Sequence, residues 1–70
     1  SGFEIFRYEN FRKKIKRTLR KKVIKRDFIK RWIYEEFHSY GNDDNLKKME
    51  KKLKLVNAQI KILEFILSDN

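Results

Sequence analysis

The chain has no cysteine and no proline, one histidine and two glycines among its 70 residues. Each shortage excludes something. Without cysteine no disulfide forms, and with a single histidine no ordinary Cys/His zinc site is assembled, so two common staples of a small domain are missing. At this length one hydrophobic core supplies only about 3–5 kcal/mol of net stability. That leaves well-packed helices, self-association or a partner to hold the fold. Apolar runs never exceed a few residues, so no segment reads as a membrane span. The opening "SGFEIF" lacks the basic and apolar regions of a secretory signal. The lack of cysteine fits an intracellular setting, cytoplasm or nucleus. The initial Ser-Gly reads as a cloning remnant, so a fragment of a longer regulator or replication protein is one expectation, and the sequence alone does not decide it.

Negative charge is also scarce where it matters. The chain carries 19 Lys and Arg against 10 Asp and Glu, a net charge of +9. From Arg12 to Arg31 there are twelve basic residues and one acid, Asp27, so this segment alone holds more than the whole excess. Such a field attracts polyanions, acidic partners or anionic lipid and repels another copy of itself. Yet 40% of the residues are hydrophobic, with six Phe, three Tyr and one Trp. A disordered basic tail does not carry that apolar content.

Helix is the expected state almost throughout. The strong turn signal is "HSYGNDDN", where Gly41 is followed by Asn42, Asp43, Asp44 and Asn45, all turn or N-cap residues. Beyond it, Leu46, Met49, Leu53, Val56, Ile60, Leu63 and Leu67 are spaced alternately by three and four. That is the a/d seam of a coiled coil or small bundle, a core or dimer interface, capped by Asp43 or Asp44. A second row, Leu55, Ile62 and Ile66 with Phe65 nearby, widens this face beyond what one neighbour needs.

Before the turn, two apolar stripes compete. Tyr8, Phe11, Ile15, Leu19 and Val23 fall on one helix face, with Lys13, Lys14, Lys16, Arg17, Arg20 and Lys21 opposite. Phe28, Ile29, Trp32, Ile33 and Phe37 form a stripe rotated by roughly a quarter turn. A helix break with Asp27 as N-cap reconciles the two. The reading is therefore all-α, a small three-helix bundle with helices at about 4–24, 27–39 and 44–67 and a loop at 40–43. The alternative is a two-helix hairpin that dimerises into a four-helix bundle to cover its aromatics.

Catalytic machinery is not legible. His38 has no Ser or Cys beside it. Glu35 and Glu36 point about 100° apart on a helix. Asp43 and Asp44 do not follow the alternate ligand spacing of a calcium loop, and no glycine-rich phosphate loop is present. The expectation is a non-enzymatic chain without cofactor or metal.

The unneutralised basic run is the feature that points to a partner. Ordinary solvated faces alternate sign, as Glu50 does with Lys47 and Lys54. Between residues 10 and 26 no acid interrupts, and like charges at i, i+4 cost a few tenths of a kcal/mol per pair. A face built that way serves an anion. Arg12, Lys13, Lys16, Arg17, Arg20 and Lys21, with Lys30 and Arg31, are the expected contacts to a nucleic-acid backbone. No set of Arg, Asn or Gln forms a base-reading constellation, so low sequence selectivity follows, with DNA and RNA both open. Tyr8, Tyr34 and Tyr40 are candidates for base stacking. The competing reading is a protein-interaction or oligomerisation module using the heptad face, with the cations steering an acidic partner. A membrane-surface role for Phe11, Ile15, Leu19 and Val23 ranks third, because the fold needs the same residues.

Overall fold

A computed structural model describes residues 2–40 and 43–68, with the side chains of 3, 37–40 and 43 left outside the description. The expectations for Phe37, His38 and Tyr40, and for Gly41, Asn42 and Asp43 as turn and cap residues, lie outside the described side chains. Two helices, α1 (Gly2–Tyr40) and α2 (Asp43–Ser68), make up the whole described chain.

The three-helix arrangement is corrected: α1 runs unbroken for 39 residues through the proposed break. No glycine or proline lies between residues 3 and 40 to interrupt it. Asp27 starts no new helix. It sits in mid-helix, where its Oδ1 accepts a hydrogen bond from Arg26 Nε at 3.3 Å. The fold is the two-helix hairpin of the alternative reading. Asp44 lies within the first turn of α2, where a carboxylate still meets the positive helix end.

Burial explains why both stripes fit on one straight helix. The shielded positions of α1 are Arg12, Ile15, Leu19, Lys22, Arg26, Ile29, Ile33 and Glu36, spaced alternately by three and four, with Val23 alongside. This is a heptad seam like that of α2, but half of its positions are charged. Lys and Arg tolerate such places because their alkyl stems cover apolar neighbours while the charged ends reach water. The fully buried centre consists of Ile29, Val56 and Ile60, flanked by Leu19, Val23, Ile33 and Leu53. Close to the turn, Asn45 Nδ2 donates to Glu36 Oε1 at 3.4 Å and ties the two helices together.

The helices are unequal. At 1.5 Å per residue α1 is about 58 Å long and α2 about 39 Å, and the molecule measures 59 × 14 × 14 Å. About 20 Å of α1 therefore stands clear of α2. Ile5, Phe6, Tyr8 and Phe11 lie in that free stub and are exposed.

The second stripe divides. Ile29 and Ile33 continue the seam, whereas Ile24, Phe28 and Trp32 form a row of their own on the outside and remain half exposed. Leu55 and Ile62 on α2 are exposed as well. The hairpin thus closes one narrow core and leaves a second apolar flank uncovered.

Candidate nucleic-acid interface

On an α-helix, residues three, four and seven apart share a face. Lys13, Lys16, Arg17 and Arg20 have that relation, and all four are exposed. Together they surround a shallow depression of about 200 Å³ lined by no other residue. From Lys13 to Arg20 the four cations span two turns, about 10 Å of helix. They form a compact cationic surface without a carboxylate in its lining.

The other expected contacts are placed elsewhere. Arg12 is partly shielded and turns toward the stub: its guanidinium lies 5.8 Å from the Tyr8 ring centroid, and Nη1 donates to the Tyr8 hydroxyl at 3.4 Å. Tyr8 is thereby engaged by a cation of its own chain, although half of its surface stays open. Lys21 lines a groove between the helices, beside Ile24, Phe28 and Trp32. Arg31 borders a smaller hollow with Ile24, Asp27 and Phe28. Lys30 is exposed ten residues beyond Arg20, about 15 Å farther along the axis. Tyr34 is exposed but makes contacts within the chain.

The cations of α1 therefore do not form one ridge. Four gather on one face, Lys22 and Arg26 occupy seam positions, and Lys21, Lys22 and Lys25 line the groove. What the run does is raise the potential around the whole middle of α1, with its densest point at the four-residue cluster.

The heptad residues of α2 occupy the seam with α1. Val56 and Ile60 are buried, and Leu46, Met49, Leu53, Leu63 and Leu67 are partly shielded. That face is used within the chain, so an external partner meets it only if the hairpin opens. The same holds for Ile15, Leu19 and Val23, which a membrane-surface helix would have to release.

Among the described residues no three His, Cys, Asp or Glu side chains gather where they could hold a metal ion. No described helix is long and apolar enough to cross a membrane. Compared with known families, curated proteins and solved structures, the chain matches none.

Proposed function

We propose that this hairpin is a non-enzymatic, intracellular nucleic-acid-binding element that grips the phosphate backbone with Lys13, Lys16, Arg17 and Arg20. The observation that carries the reading is the depression enclosed by these four cations alone. A phosphate chain presents negative charges at intervals of several ångströms, and two helical turns offer four cations over a matching path. Ammonium and guanidinium groups bind phosphate oxygens without consulting the bases, so discrimination between sequences is low. Lys30 and Arg31, farther along α1, add weaker contacts on a longer strand.

Binding measured by fluorescence anisotropy on labelled duplex and single-stranded 20-mers tests the proposal. Four phosphate contacts give a log–log salt slope of about −3.6 on duplex and about −2.8 on a single strand. Raising salt from about 50 to about 200 mM then weakens duplex binding roughly a hundredfold. The Arg17→Glu/Arg20→Glu double variant keeps its helix content and loses most of the affinity. Affinity indifferent to salt, or unchanged in that variant, removes the proposal.

A further inference from the structure

Beside the four-cation cluster, one helical turn on from Arg17 and Arg20, the hairpin carries a groove of about 700 Å³ between α1 and α2. Its walls are the row Ile24, Phe28 and Trp32, one helical turn apart, and Leu55 from α2. Its floor is Ile29 and Val56, the buried centre of the molecule. The groove is thus continuous with the core that joins the two helices. We infer that it is a docking site for a third helix, an amphipathic segment of another protein with acidic flanks.

The shape argues for a helix. Two antiparallel helices present a valley along their shared axis, and another helix fills such a valley by ridges-into-grooves packing. Ile24 to Trp32 covers about 12 Å, enough for apolar anchors at i, i+3 or i+4, and i+7. No sheet edge is present among the described residues to recruit an extended strand.

Charge selects the partner. Lys21, Lys22, Lys25 and Lys52 line the groove and no carboxylate does. A segment with Glu or Asp on either side of its apolar stripe meets four ammonium groups there. A second copy of this chain is the wrong occupant. A symmetric pair uses the same patch on both subunits, so each would bring the same four lysines to the other. Bases are also poorly suited. Gln59 is the one uncharged polar side chain in the lining, and base edges pressed against Ile, Leu and Val would lose their hydrogen bonds to water unreplaced.

Trp32, the only tryptophan in the chain, is half exposed on the groove wall, so its emission reports occupancy directly. The probe is a synthetic helical peptide of about four turns with leucines at the i, i+3, i+4, i+7 spacing and glutamates flanking them. Two controls accompany it, one with lysine flanks and one of scrambled glutamate composition. The glutamate peptide is expected to bind saturably with a blue shift of Trp32, at least tenfold more tightly than either control. Phe28→Ser/Leu55→Ser, both outside the seam, is expected to keep the circular dichroism and lose the shift. Lys13→Glu/Lys16→Glu, the two members of the cation cluster with no groove residue three, four or seven positions away, is expected to keep both, which separates this surface from the phosphate-binding one. The inference is overturned by any of four results: no shift, scrambled peptide binding as tightly, dimers by light scattering that bury Trp32 without peptide, or an oligonucleotide that shifts Trp32 and displaces the peptide.

Discussion

Ile29 and Phe28 are neighbours in sequence, yet the hairpin assigns them opposite fates. Ile29 is 3% exposed and Phe28 is 53% exposed. Ile29→Ala deletes three buried carbons, worth about 0.8 kcal/mol each by transfer. The cavity left behind raises the loss to about 3–4 kcal/mol, and alanine returns a few tenths through better helix propensity. The net cost, about 3 kcal/mol, rivals the whole stability of a fold this small. Phe28→Ala gives up only the covered half of a ring, about 1 kcal/mol, and regains about half of that in propensity. Thermal melts followed by circular dichroism at 222 nm separate the cases. For a chain of this length 1 kcal/mol moves Tm by about 4–8 °C. Ile29→Ala should therefore drop it by more than about 10 °C and leave a measurable unfolded fraction at room temperature. Phe28→Ala should move it by less than about 5 °C. Equal losses in the two variants would refute the reasoning, because they require the Phe28 ring to be buried in solution. If that loss also depended on protein concentration, a second copy would be what buries it.

Two further outcomes follow from the charges of α1. Arg26 occupies a seam position although its hydrogen bond to Asp27 is a half-open surface contact, 31% exposed on the arginine side. Replacing it by leucine should raise the urea midpoint, for a gain of about 1 kcal/mol in stability at an unchanged m-value; a lower midpoint would mean that the charged group supports the fold. Second, uninterrupted like charges oppose the helical state and are screened by salt. Raising sodium chloride from about 10 to about 300 mM, across Debye lengths of about 30 Å to below 10 Å, should raise Tm in the absence of any polyanion. A fall in Tm would show that attractive ion pairs dominate instead.

How much of this was legible beforehand depends on which side chains fill the seam. In α2 all seven seam positions are apolar, from Leu46 to Leu67, so periodicity alone located the helix and its inner face. In α1 the corresponding seam runs through Arg12, Lys22, Arg26 and Glu36. Charged residues at inner positions are invisible to a hydrophobic pattern, and the outer row Ile24, Phe28 and Trp32 competes with the true one. The mismatch looks like a break in the helix, which is why three helices were expected where two exist. The four clustered cations were all among the eight expected contacts, because spacing within one helix places them, but the sequence did not set them apart from the other four. The placement of Lys21 on a groove wall was not legible, since the groove exists only once Leu55 and Val56 of α2 lie beside Phe28. The hint available was the excess width of the α2 apolar face, marked by Leu55 and Ile62.

The unequal helix lengths give the rod two mechanically different ends. Near the turn, each helix braces the other. At the opposite end roughly a dozen residues continue alone, about the length at which a helix without tertiary support is marginal in water. That tip has no α2 surface packed on it and relies on its own backbone bonds. What steadies it is therefore local, contacts such as the Arg12–Tyr8 pairing or whatever surface it comes to rest on.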